Sequence, residues 1–233
     1  MPARENLYAE IEEYYSKILT KVKITSLPIK CLLVAAAFGL CPMPKAVSAT
    51  TPATITLDTQ HTGLAISSNF EGLSFETALL LPGDNGIHYF RPENHALITL
   101  FRTLGIKSLR IGGNTGDRDA KKLPSETDLD SFFQFAKAAG VKVIYCLPLH
   151  NANPESDAQT AKYIMDHYAD EMECFSIGQE PSAYPKPYSY SDYAKDWKRF
   201  AKIITAAVPN VRFSGPGVHN NAAWARDFMS DFG

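Results

Sequence analysis

Five short polar segments each follow an apolar, strand-like run, and they hold residue types that handle hydroxyl-rich ligands. Glu76 follows the run 70–75, Gly112-Gly113-Asn114-Thr115-Gly116-Asp117 follows 108–111, and His150-Asn151-Ala152-Asn153 follows 143–147. Gln179-Glu180-Pro181 follows 175–178, and Gly215-Pro216-Gly217-Val218-His219-Asn220 follows 211–214. Carboxylates, amides and imidazoles exchange hydrogen bonds with sugar hydroxyls, and Tyr89, Tyr184 and Tyr188 offer ring faces for stacking. Glu180 is the sharpest candidate. An acid directly after an apolar strand is placed to protonate a leaving glycosidic oxygen, provided that partial burial and a second carboxylate let it keep a proton near neutral pH. Position alone fits equally well a surface carboxylate at the N-terminus of the next helix.

Other chemistries find less support. The six histidines show no metal-ligand spacing, so neither a metal nor a cofactor is expected. Gly112 to Gly116 lacks the G-x-G-x-x-G spacing and the lysine of a phosphate loop, which weakens a nucleotide-binding reading. Gly72-Leu73-Ser74-Phe75-Glu76 lacks the second glycine of a serine-hydrolase elbow. With 23 basic and 25 acidic residues, the chain offers no cationic surface for nucleic acid. Cys146 and Cys174 fall near the end of one strand and the start of the next, an offset of about 13 Å at strand rise, so both are read as buried thiols.

The elements that must position these residues alternate strand, loop and helix with a repeat of about 35 residues, the scale of a βαβ unit. The first helix presents Leu97, Leu100, Phe101 and Leu104 and stops at Gly105. The second is capped by Thr127 with Asp130 three residues on and ends at Gly140. Leu104-Gly105-Ile106-Lys107 and Ala139-Gly140-Val141-Lys142 carry both helices into strands by the same pattern. Asn153 and Pro154 open the third helix, with Ala158, Ala161, Met165 and Tyr168 as its stripe. Ser189 and Asp192 open the fourth, which buries Tyr193, Trp197, Phe200 and Ile204, and a fifth surrounds 224–228. Single helices joining successive strands imply a parallel sheet, in a barrel or a doubly wound fold; either binds ligands at the carboxyl ends of its strands.

Residues 1–49 are of a different kind. Lys17, Lys21, Lys23 and Lys30 precede the apolar run 31–40, which ends near Pro42 and Pro44, and Val47-Ser48-Ala49 supplies small residues. That order predicts a signal peptide cleaved near Ala49, with export to the periplasm or the extracellular space. The run is too short to span a bilayer, and Leu40 before Cys41 suits a lipid anchor poorly, so no stable membrane anchor is expected. Residues 50–69 then read as a linker and an N-terminal strand around Ile55 to Leu57, and residues 70–233 as the portion that alternates strand and helix.

Ile177-Gly178-Gln179-Glu180-Pro181 resembles the I-G-N-E-P segment carrying the acid/base glutamate of clan A glycoside hydrolases. Within that clan, Phe70-Glu71-Gly72-Leu73-Ser74-Phe75-Glu76 and Leu109-Arg110-Ile111-Gly112-Gly113-Asn114 resemble glycoside hydrolase family 79, the bacterial β-glucuronidases and their heparanase relatives. The resemblance runs from about Phe70 onward and implies a (β/α)₈ TIM-type barrel. It also implies a retaining mechanism in which Glu180 serves first as acid and then as base, on a carbohydrate substrate with a β-linked uronic acid or related sugar. Gln179 stands where the family has the asparagine that binds the sugar 2-hydroxyl, one methylene longer. Glu76, Asn114, Asp117, His150 and Asn151 are the further candidates for substrate contact, and Arg110 is a candidate for orienting carboxylates. Residues 50–233 hold about five βα units, against eight strands and about 250 residues in a closed barrel. The expectation is therefore an incomplete barrel whose nucleophile, on the seventh strand in the family, is missing from this chain. That makes the chain by itself inactive; the alternative is a non-catalytic carbohydrate-binding remnant of such a barrel.

Overall fold

The computed structural model describes His61, residues 63–185 and residues 187–233. The expected signal peptide, the linker and the alternating segment at Ile55 to Leu57 lie outside the described residues. Thr62–Gly233 forms one compact unit and carries every element described below. Among the described residues no helix is long and apolar enough to cross a membrane.

Five strands, β1 (Gly72–Glu76), β2 (Ser108–Gly112), β3 (Lys142–Leu147), β4 (Met172–Ile177) and β5 (Phe213–Ser214), form one parallel sheet in the order β1-β2-β3-β4-β5. They alternate with helices α1 (His95–Thr103), α2 (Glu126–Ala139), α3 (Pro154–Tyr168), α4 (Tyr190–Ala207) and α5 (Ala222–Phe232). Parallel crossovers are right-handed, so an order that never reverses sends every connecting helix to the same face. The register agrees. Phe75, Ile111, Tyr145, Phe175 and Phe213 share one row; Ile111, Tyr145 and Phe175 in it are 0–3% exposed, as befits the helix-covered face. The adjoining row, Ser74, Arg110, Ile144 and Cys174, points the other way and stays half-buried or exposed. The sheet has no point where strand order reverses, the crevice in which a doubly wound sheet binds nucleotides.

The repeated helix exits have a common cause. Gly105 and Gly140 take φ of 71° and 75°, and the next residue closes each helix, Ile106 N–H donating to Phe101 O and Val141 N–H to Ala136 O. This is the Schellman arrangement, which needs a residue free to adopt positive φ followed by an apolar one that packs inward; Ile106 and Val141 are buried.

Three local expectations differ from the structure. Helix α1 buries Ile98 and Phe101 and leaves Leu100 and Leu104 about half exposed, because Phe101 is drawn against Phe135 of α2 and turns the stripe toward it. Helix α2 is capped two residues earlier than expected, by a reciprocal box of Ser125 and Asp128. Asp130 is instead taken by the Tyr163 and Tyr168 hydroxyls of α3, at 2.7 and 2.6 Å. Cys146 is buried, whereas Cys174, opposite Ile144 on the uncovered face, is only half-buried; both are free thiols.

Candidate active site

The carboxyl end of the sheet is held together by its own polar residues. Glu76, at the end of β1, accepts from the Thr115 N–H at 2.9 Å, the Thr115 hydroxyl at 2.6 Å and the Asn114 N–H at 3.3 Å. Partial burial pushes its pKa up, but these three donors and the positive charge of Arg110 together outweigh that and hold it below the usual glutamate value. The turn that presents the donors requires Gly113, with φ 75° and ψ −174°, a region open only to glycine. A Cβ there would collide with the Glu76 carboxylate. Glu76 thus clamps the β2 loop. Asn114 turns its Oδ1 into a buried position without a partner among the described residues.

Asp117 is the hub of the rim. Its side chain is buried, the residue being 3% exposed, and accepts from the N–H groups of Leu149 (2.8 Å), His150 (2.7 Å) and Gln179 (2.7 Å) and from the Tyr184 hydroxyl. One carboxylate therefore ties together the loops after β2, β3 and β4. Asp117 also lines a cavity of about 460 Å³ at this end of the sheet, and Tyr184, 7% exposed with its hydroxyl on Asp117, has its ring packed beside His150 and Tyr188.

Gln179 and Glu180 emerge at the end of β4 under two constraints. Arg110, from the uncovered face of β2, donates through Nη2 to Gln179 Oε1 and through Nη1 to Ser74 Oγ at 3.1 Å. The guanidinium orients an amide, where the sequence suggested a carboxylate. Glu180 has φ 49° and ψ 52°, the left-handed region that a non-glycine residue occupies only when its surroundings force it there, at a cost of about 1–2 kcal/mol. What forces it is the β5–α5 loop. The Glu180 N–H donates to Gly217 O at 3.0 Å, and the carboxylate lies 3.3 Å from His219 Nδ1 with its side chain 31% exposed.

His150 and Asn151 form the ridge between two cavities. One, about 460 Å³, is lined by Arg118, Lys121, Lys122, His150, Asn153 and Asp157 among others. The second, about 390 Å³, lies between Asn151, Tyr184, Pro185, Pro187, Tyr188 and Asp196. Asn151 is exposed with φ 55°, and its amide reaches His150 Nδ1 at 3.4 Å. Two residues here escaped sequence reasoning. His219 was visible only as part of a polar loop. Asp157, in the first turn of α3, looks like an ordinary helix-start acid but is 3% exposed, with Oδ2 unpartnered among the described residues. Burial, and then the neighbouring Asp117, raise its pKa to about 8. No group of three or more His, Cys, Asp or Glu among the described residues is arranged to hold a metal ion.

No family model matches this chain, and no curated protein matches it. Solved structures do. A bacterial orthologue of human α-L-iduronidase aligns with a TM-score of 0.48 and 14% identity over 71% of this chain and 30% of its own. AbfB, a family 51 α-L-arabinofuranosidase from Bifidobacterium longum, gives 0.47 and 16% over 70% of this chain and 42% of its own. The exo-β-1,4-mannosidase Op5Man5 from Opitutaceae bacterium strain TAV5 gives 0.43 and 13% over 67% and 35%. The chain thus spans less than half the length of each of these glycosidases.

Proposed function

We propose that this chain carries the acid/base half of a retaining glycoside hydrolase site, built on the wall of a (β/α)₈-type barrel and acting on a β-linked uronic acid or related sugar. The observation that carries the reading is the Gln179–Glu180 pair. A carboxylate is held in strained backbone at the end of β4, about a third exposed, next to an amide fixed by Arg110. Strain of this kind concentrates where a side chain must be presented. The unreversed strand order of the parallel sheet, with its helices on one face, supports a barrel wall over a doubly wound sheet. The lysines and small residues of 17–49 support export.

In this reading Glu180 protonates the glycosidic oxygen as the C1–O bond breaks and a second carboxylate attacks C1. Glu180 then takes the proton of the water that releases the sugar. The second carboxyl must lie about 5 Å away. Glu76 and Asp117 both spend their oxygens on loop backbone, so neither is assigned that role. The same commitment favours the second reading, a carbohydrate-binding protein without turnover.

The test is binding and release with 4-nitrophenyl β-D-glucuronide and a panel of neutral β-glycosides. The reading expects saturable binding of the glucuronide, weakened about tenfold by Gln179→Ala through the lost hydrogen bond, and no nitrophenol release. Release abolished by Glu180→Gln would confirm Glu180 and overturn the assignment of the nucleophile elsewhere. Affinity unchanged in Glu180→Gln favours the binding-only reading, and no affinity for any glycoside contradicts both.

A further inference from the structure

The cavity of about 460 Å³ lies between the loop after β2 and the start of α3. Arg118, Lys121 and Lys122 reach it from the loop, and Asn153, Ser156 and Asp157 from α3. Asn153 caps this 15-residue helix, so the positive end of the helix dipole faces the same space. Of the acids nearby, Asp117 spends its oxygens on four donors, Asp119 pairs with Arg118 at 3.1 Å, and Glu155 is exposed. Asp157 is different. It is 3% exposed, and its Oδ2 has no partner among the described residues. With a pKa raised by burial to about 8 it keeps its proton at neutral pH, which makes it a hydrogen-bond donor on the wall of a cationic cavity.

We infer that this cavity is an oxyanion subsite for a carboxylate or sulfate borne by a glycan. The Asp157 O–H donates to the anion, and Arg118, Lys121 and Lys122 supply the charge. The inference rests on the proposed function for the glycan; the anion chemistry stands on the cavity alone. Two features join the subsite to the Glu180 site. Asp117 lines the cavity and accepts from the Gln179 N–H at 2.7 Å, and the charge of Arg118 reaches Glu180. An acidic unit next to the reacting sugar is therefore the group the cavity takes. Binding needs the protonated acid, because an ionised Asp157 meets the anion with like charge. The other titratable groups around Asp157 are His150 on the cavity wall and Tyr145 and Cys146 of β3. Burial raises the last two, Cys146 to about 11, so both stay neutral up to pH 9.

The test titrates the ¹⁵N-labelled full chain with sodium sulfate, with glucuronate and with a β-linked diuronate disaccharide, at constant ionic strength and with glucose as the neutral control. The expected result is saturable amide shifts at residues 118–122 and 153–157 with the anions and none there with glucose. Sulfate affinity falls about tenfold from pH 7 to pH 9, as Asp157 ionises with a pKa of about 8. Asp157→Asn, whose amide still donates, keeps the affinity at pH 7 and removes this fall. His150→Gln retains the fall, which separates Asp157 from the neighbouring imidazole. Replacing Lys121 and Lys122 together by glutamine weakens sulfate by about tenfold. Backbone amide spectra matching the parent's establish that each variant is folded. The disaccharide binds more tightly than glucuronate and loses that gain in the double lysine variant, as a glycan source requires. Sulfate binding with no gain for the disaccharide overturns that source and makes a free anion the occupant. No saturable anion binding, a sulfate affinity in the parent that is flat from pH 7 to pH 9, or a fall that persists in Asp157→Asn overturns the inference. Neither Gln179 nor Glu180 lines the cavity, so sulfate binding survives Gln179→Ala, and failure of the hydrolase reading is seen separately in the glucuronide titration.

Discussion

Replacing Asp157 by asparagine should change how stability depends on pH, and the size of the effect follows from burial. Asp157 is 3% exposed, and its pKa is raised from 3.8 to about 8, by burial first and by Asp117 second. The unfolded chain releases this proton near 3.8 and the folded protein keeps it until about 8. Between those values the folded state holds one extra proton. Stability therefore falls as pH rises, by about 1.4 kcal/mol per unit, or about 2.7 kcal/mol from pH 5 to pH 7. The contribution is fully present below pH 3.8 and gone above about 8. Asp157→Asn cannot ionise, so whatever constant offset the amide brings, the stability of the variant relative to the parent should shift in the variant's favour by about 1.4 kcal/mol per pH unit across this window. It should then level off by about pH 9. Urea unfolding followed by circular dichroism at pH 5, 6, 7 and 9 measures this directly. Parallel pH profiles would mean that Asp157 is already ionised in the folded protein, and the argument from burial would be refuted.

Asp117→Asn should cost at least about 3 kcal/mol, because three backbone N–H groups and the Tyr184 hydroxyl then compete for one acceptor oxygen. A loss below about 1 kcal/mol in the same unfolding assay would show that other contacts hold the loops. Gly113→Ala should lower stability by about 2 kcal/mol or more, from backbone strain and collision with Glu76. Adding Glu76→Ala should recover the steric part but not the strain, giving a non-additive cycle. Ser125→Ala should cost about 1 kcal/mol and Thr127→Ala close to nothing; the reverse order would return the helix cap to where the sequence first suggested it.

What could be read in advance followed from local chemistry. The glycine-apolar exits at Gly105 and Gly140, the Asn153-Pro154 helix start and the Ser189-Asp192 capping box are short-range signals, and the structure contains all of them. The Ser125 cap was missed because Thr127-x-x-Asp130 has the same spacing; only the approach of Tyr163 and Tyr168 decides which aspartate is available. The hub role of Asp117 depends on partners 32 to 67 residues away, so no local pattern could reveal it. Asp157 is similar: a helix-start acid reads as solvated until the neighbouring loops bury it. Arg110 was legible as a residue that orients another group, but that the group is the Gln179 amide required the pairing of β2 through β3 to β4.

The central claim is that the carboxyl end of β1–β4, organised by Asp117 and presenting Gln179 and Glu180, is a sugar-binding half-site. Titrating 4-nitrophenyl β-D-glucuronide into the ¹⁵N-labelled chain and following backbone amide resonances tests it most directly. The account predicts saturable shifts confined to residues 112–117, 148–151, 178–182 and 217–220, and their loss when Gln179→Ala and Glu180→Gln are combined. No shifts, or shifts centred away from the carboxyl end of the sheet, would contradict it.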